Sequence, residues 1–499
     1  MYDSNISCFS QSSLLDTIHC GVNALSSPLW SWLVWILIGV GLFFTFSTGL
    51  VQLRLFGRSI KEISASRQYP SDPRGITSFQ AFVTGLASRV GTGNIAGVAI
   101  AITAGGAGAV FWMWLMALIG MSSAFAESTL AQLFKVRDKD TGLFRGGPAY
   151  YIENGLGQRW LAVLFSLSLV FCFAFVYNAI QANTIVQAVQ SAANMTVLDG
   201  YDQSTWGIYK HGLAIVLVVM TAPIIFGGIR RVARVAEAVV PLMAVIYLGI
   251  ALYVMAINIG EVPKMFALII KDAFTVQAAG GGLLGGLISQ SMMLGIKRGL
   301  YSNEAGQGSA PNAAASADVK HPVSQGLIQM LGVFMDTIVV CSATAFIILL
   351  AKYHPSPDLS GIQVTQAALA YHVGSWAQTF LAMTLFLFSF SSIIGNYAYA
   401  ETNMQYLHGD QRTLTIFRIV VLLFVYFGSV TQVQVVWDMG DLTMGIMALI
   451  NLIAIVLLHK YVLQLLRDYT TKLRLKSTEP VFKLSEHPVL KRKIKSDIW

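Results

Sequence analysis

Residues 85–106 read GLASRVGTGNIAGVAIAITAGG. The stretch is apolar enough to cross a bilayer, yet Arg89, Thr92 and Asn94 stand in its first half, and Gly91 and Gly93 flank the threonine. Glycine weakens a helix, so the pattern predicts an unwound middle. Irregular backbone at membrane depth is tolerated only where it faces protein or a water-filled cavity. The carbonyls it frees suit a cation, and the N–H groups that open the outer half-helix suit a carboxylate. The competing reading is a packing kink in which Gly93 and Gly97 make a small-xxx-small helix contact.

Other polar groups fall at similar depth. Asp336, in LGVFMDTIVVCSATAF, lies mid-span, where an aspartate costs about 2.5–3.5 kcal/mol to insert. An intramembrane carboxylate is a functional-site hypothesis by default; its structural alternative is an ion pair with Arg89, and a gate that uses the pair would make both true. Glu127, in SSAFAESTLAQLF, suits a cap, an ion pair or a cytoplasmic gate. Ser391 and Ser392, in FSFSSIIGN, offer two adjacent hydroxyls to a hard cation, unless they bond back to their own helix. Gln181 and Asn183, in YNAIQANTIVQAV, suit a substrate's polar end or a bond between helices. Ser289 would line the same cavity or bond to its own helix.

These groups need helices to hold them, and the composition says which kind. Of 499 residues, 55% are hydrophobic and only 12% charged, against about 25% charged in a soluble domain; the mean hydropathy is +0.62. With about 20 apolar residues enough for one crossing, the chain reads as an all-α polytopic membrane protein. Eleven spans are expected, at 29–52, 78–104, 109–134, 160–192, 211–227, 235–258, 274–296, 322–350, 372–400, 413–430 and 440–464. Residues 1–28 form an N-terminal segment and 465–499 a basic tail.

The charge distribution orients the bundle. Of the 33 Lys and Arg, ten lie between Lys460 and Lys495. The net charge of +8 is thus positive-inside bias rather than a nucleic-acid surface. The N-terminus is expected outside and the C-terminus in the cytoplasm of a bacterial-type cytoplasmic membrane, with LKRKIKSDIW solvated near anionic lipid. No cleaved signal is expected. A disulfide between Cys8 and Cys20 is compatible with that orientation.

The pattern breaks deeply a second time at AAGGGLLGGLISQSMMLG, residues 278–295. Gly-interrupted spans at matching positions of two halves point to a transporter-type site. Setting the helix at 29–52 aside, residues 78–258 and 274–464 make two inverted repeats of five, each opening on a broken helix. GTGNIA fits a dinucleotide fingerprint by accident, because no strand–helix unit surrounds it. The eight histidines are scattered, so neither a metal cluster nor an enzyme's paired groups emerge. No filter-like repeat supports a channel.

The blocks SRVGTGNIAGVA, GGPAYYIENGLG, QANT, GLYSNEAGQGSAPNAAASA, DTIVVCSAT and FSFSSIIGN resemble the alanine/glycine:cation symporter family, also called sodium:alanine symporters, from about Phe79 to Leu463. The resemblance implies a leucine-transporter-like fold and symport of a small neutral amino acid with Na+, with no organic cofactor. By likeness to the VGLGN run of sodium-coupled amino-acid transporters, Thr92 and Gly93 would present N–H groups to the substrate carboxylate, with Gln181 a further contact. Asn94, the carbonyls of Ala87 and Val90, and Ser391 and Ser392 would face sodium. Alanine- and glycine-selective members often carry Trp after IIG; Asn396 stands there instead and would admit a longer substrate such as glutamine. Proton coupling is the remaining alternative.

Overall fold

The structure is a computed structural model; it describes residues 14–65, 75–138, 141–196, 203–274, 289–351, 359, 361–431, 433–475, 479–494 and 498–499. Among these, nine helices are long and apolar enough to cross a membrane, and a bent pair makes up to ten. Helix α1 runs Leu14–Ser47. The bent pair is α2, Ser78–Arg89, and α3, Gly93–Gly105, which meet at 49°. Then follow α4, Gly108–Leu133, α5, Arg159–Ala193, α6, Gln203–Ile225, and α7, Gly228–Ile257. The short α8, Val262–Ala273, α9, Gln290–Asn303, and α10, Pro311–Ser316, come next. The remainder are α11, Pro322–Leu350, α12, Ile362–Val373, α13, Trp376–Leu407, α14, Gln411–Val430, α15, Val433–Leu457, and α16, His459–Arg474.

Helix α4 is the central post, packed against α1, α9 and α11, while α13 packs against α2, α5 and α7. The last turns of α4 (Ser122–Leu133) are buried on every side although they carry Ser122, Glu127, Thr129 and Gln132. Local sequence sets where α2 begins. Thr77 Oγ1 accepts from the Gln80 N–H at 3.0 Å, and Gln80 Oε1 accepts from the Thr77 N–H at 3.2 Å, a reciprocal cap of two orphan donors.

The expected seventh span at 274–296 falls mostly outside the described residues. Residues 275–288, which hold most of the AAGGGLLGGL run, lie outside the described residues. Beyond them α9, 14 residues long, carries Lys297 and Arg298 and continues to Asn303. The interruption visible in this part of the chain is at Glu304–Ala310, between α9 and α10, where Glu304 has φ 60° and Gly306 and Gly308 have φ 90° and 80°. Glycine accepts that left-handed region without strain, and Pro311 restarts the helix at its first position.

The tail is also less solvated than its charge implies. Phe482, Leu484, Leu490 and Ile494 are buried, although Lys491, Arg492 and Lys493 are exposed. Cys20 is disulfide-bonded and Cys172 and Cys341 are free; Cys8 lies outside the described residues.

Candidate functional site

The break between α2 and α3 is made by diverted hydrogen bonds. In a continuous helix the Gly91 N–H would reach back to the Ala87 carbonyl and that of Thr92 to Ser88. Here the Gly91 N–H donates to Asn94 Oδ1 at 2.9 Å and the Thr92 N–H to Gln181 Oε1 at 3.0 Å. Val90 is extended (φ −80°, ψ 91°), which turns its carbonyl toward α13. The Ser392 hydroxyl lies 3.2 Å from that carbonyl and 3.1 Å from the Phe388 carbonyl. Gly91 is needed because α13 and α5 close in: a Cβ there would stand 2.2 Å from Ser392 Oγ and 2.8 Å from Gln181 Oε1. The glycine therefore serves close approach as well as a weak helix.

Ser391 points elsewhere. Its hydroxyl donates to the Phe388 carbonyl at 2.8 Å and lies 3.7 Å from the Met243 sulfur. The two serines do not face the break together.

Asp336 joins the two interruptions. Its Oδ1 accepts from Asn94 Nδ2 at 2.7 Å, and its Oδ2 accepts from Ser302 at 2.8 Å and Thr337 at 2.9 Å. Asn94 opens the helix after the first break, and Ser302 sits one residue before the end of α9. The ion pair with Arg89, weighed as the structural alternative for Asp336, is not made in this structure: its carboxylate is held by three neutral donors. Arg89 is buried; its Nη1 reaches only the Gln329 carbonyl at 3.4 Å, and its Nε and Nη2 meet no acceptor among the described residues.

Of the roles weighed for Glu127, the contacts are those of a cap. Its carboxylate accepts from the N–H groups of Gly306 at 3.3 Å and Gly308 at 3.2 Å and from Asn451 Nδ2 at 2.8 Å. It thereby holds the second interruption open against α4 and α15. Ser289 caps α9, accepting from the Met292 N–H at 3.1 Å; thirteen residues before Ser302, it stands about 20 Å from it at 1.5 Å per residue, away from the break. Asn396 donates to Asn178 Oδ1 at 3.1 Å, and its Oδ1 lies 2.6 Å from Ser88 Oγ. That hydroxyl is also 2.7 Å from Glu304 Oε1. Asn183 donates to the carbonyls of Gly428 and Thr431 at 2.9 and 2.7 Å, a bond between helices.

Tyr301, Ser302 and Glu304 also belong to the site. Their signal was the polar run YSNEAGQGS with two glycines, which reads as a loop until its helices are placed. Tyr301 covers the site on one face: its hydroxyl is 3.3 Å from Thr92 Oγ1, and its ring lies 4.7 Å from Tyr177 and 4.9 Å from Trp437. Beyond it, Arg298 lies over the Trp437 ring at 4.8 Å and pairs with Asp441 at 2.6 Å, where Lys297 also reaches at 3.2 Å. The Trp30 indole donates to the Asp441 carbonyl at 3.0 Å. Asp441 lies near the start of α15, whose other end leads into α16 and the basic tail, so Arg298 and Lys297 pair at the end of α15 away from the tail. Thr92, Asn94 and Ser392 are wholly buried.

Residues 15–484 match the family described as the sodium:alanine symporter family. The chain is 50% identical to the amino-acid carrier protein AlsT of Bacillus subtilis, over 94% of this chain and 96% of that one. It is 47% identical to the probable sodium/glutamine symporter GlnT of the same organism, over 92% of each. In fold it is similar to the crystal structure of MhsT in complex with L-phenylalanine, with a TM-score of 0.54 and 12% identity, over 76% of this chain and 87% of that one.

Proposed function

The chain belongs to the sodium:alanine symporter family, and on that premise we propose that it carries a small neutral amino acid, alanine or glycine, across the cytoplasmic membrane together with sodium by alternating access. It is a multi-pass carrier and not an enzyme: the cation gradient shifts populations of two conformations, and no bond is made. The observation that carries this reading is the α2–α3 break, where freed N–H groups and freed carbonyls lie within one residue of each other. Thr92 and Gly93 offer N–H groups to the amino-acid carboxylate, with Gln181 beside them. The carbonyls of Ala87 and Val90 and the Ser392 hydroxyl offer hard oxygens to sodium, with Asn94 holding the turn.

The Arg298–Asp441 pair over Trp437 and Tyr301 closes the outer face in this reading, with the N-terminus outside and the basic tail in the cytoplasm. A disulfide at Cys20 supports that orientation, since disulfides persist in oxidising compartments. Glutamine is the second reading, favoured by Asn396 and by the 47% identity to GlnT.

The test is radiolabelled alanine uptake into proteoliposomes with and without an inward sodium gradient, challenged by excess glycine, serine and glutamine. Gradient-driven uptake blocked by glycine is expected. Block by glutamine alone moves the substrate; no uptake under any sodium gradient overturns the symport.

A further inference from the structure

The two interrupted helices are joined at one end of the bundle by a short link, and the C-terminal tail is fastened to it. Residues 317–321 connect α10 to α11. The Asp318 N–H donates to the Ile76 carbonyl at 3.0 Å, and Ile76 pairs with Ala317 as a parallel bridge. Ile76 immediately precedes the cap of α2. The start of α2 and the end of α10 are therefore one tied unit.

The tail grips this unit at four points. The Phe482 N–H donates to the Lys320 carbonyl at 2.9 Å, and Lys320 pairs with Glu479. His321 Nε2 lies 3.0 Å from Asp468 on α16, and its ring stacks edge-on to Tyr469 at 5.0 Å and Phe482 at 5.6 Å. Lys135, at the end of α4, donates to the Ala317 carbonyl at 2.9 Å while its ammonium sits 4.7 Å from the Trp499 ring. Trp499 in turn meets Phe482 at 5.6 Å. Lys472 braces the tail itself, reaching the Val481 carbonyl and Glu486 at 2.8 Å each and Asp468 at 3.0 Å. These contacts carry more weight than solvated ion pairs, because Phe482 and Leu490 are buried beneath them.

An inward-opening carrier must part α2 and α10 from α4 and α11 at this end. Every such movement either carries the tail along or strips it from residues 317–321. We propose that Glu479–Ile494, together with Trp499, is an autoinhibitory latch that lowers the rate of opening at the tail end of the bundle. It rests on the carrier reading only in requiring that this end opens.

Its experiment separates the two. In the full-length protein, Gln325→Cys places a thiol at a buried position of α11, where Gln325 Nε2 now reaches the Ser78 carbonyl at 3.4 Å. Modification of that thiol by a membrane-impermeant maleimide, above the rate of the parent's own cysteines, reports opening without any assay of substrate. Truncation after residue 478 and, where that chain fails to fold, Phe482→Ala are each expected to speed the modification several-fold. Both should also raise the maximal uptake rate. Unchanged or slower modification in a monodisperse variant overturns the latch, whatever amino acid or ion the protein carries.

Discussion

The Thr92 N–H donates to the side-chain carbonyl of Gln181, 89 positions away in sequence, at 3.0 Å. A neutral amide oxygen thus occupies the place where the outer half-helix invites an anion. Gln181→Leu removes the acceptor and strands a buried N–H, which costs about 1–3 kcal/mol. Gln181→Glu instead sets a permanent carboxylate against the same N–H groups. The glutamate variant is expected to lose uptake altogether and the leucine variant to lose at least about tenfold in apparent affinity, both read from concentration-dependent alanine uptake. Affinity equal to the parent in either would remove Gln181 from the site.

The two serines of α13 make a sharper forecast than a joint substitution. Ser392 faces the Val90 carbonyl, whereas Ser391 faces Phe388 and Met243. Ser392→Ala should raise the sodium concentration for half-maximal uptake by about tenfold, the worth of roughly 1.4 kcal/mol. Ser391→Ala should leave it near the parent value. The reverse order would mean that the sodium site lies on the Met243 side.

Asp336 should couple more strongly to its hydrogen-bond donors than to Arg89. In double-mutant cycles on substrate affinity, Asp336→Asn with Ser302→Ala is expected to depart from additivity by about 0.5–3 kcal/mol. Asp336→Asn with Arg89→Gln should depart from additivity by less than the pair with Ser302→Ala, because Arg89 acts on the buried Asp336 carboxylate through charge without a hydrogen bond to it. An interaction term with Arg89 larger than that with Ser302 would restore the ion pair that this structure does not make.

His321 makes the tail junction sensitive to acid. Burial pushes its imidazole below the ordinary value, with Asp468 pulling the other way. Its Nδ1 accepts from the Val323 N–H at 3.1 Å, so the ring is neutral there. A lowered folded value means that the unfolded chain takes up the proton first. Stability is whole above about pH 6.5, the ordinary histidine value, and falls as the pH drops toward the lowered one. Thermal unfolding of the purified protein should show a larger drop in midpoint between pH 7.5 and 5.5 for the parent than for His321→Gln. Equal drops would assign the acid sensitivity elsewhere.

How much of this was legible follows from the residues. The first break could be read because two glycines, an asparagine and an arginine interrupt an otherwise apolar span. The interruption at Glu304–Ala310 was hidden, because Lys297, Arg298, Asn303 and Gln307 give α9 and its sequel the composition of a surface loop. Their burial is tolerable only because Asp441 neutralises Arg298, and Glu127 and Asn451 satisfy the open backbone. Those partners lie more than a hundred residues away and leave no local trace.

The amino-acid sequence by itself determined that the chain is a helical membrane protein, where the span at 78–104 unwinds and which residues cluster there. These follow from side-chain hydrophobicity and glycine's weak helix propensity, both local properties. Only the tertiary structure decided which of two adjacent serines meets the Val90 carbonyl, that Asp336 answers Asn94 and Ser302 instead of Arg89, and that Glu127 holds open an interruption in another part of the chain. Neighbours on a helix point about 100° apart at 3.6 residues per turn. The face turned to the site is set by how α2, α5, α9 and α13 pack against one another.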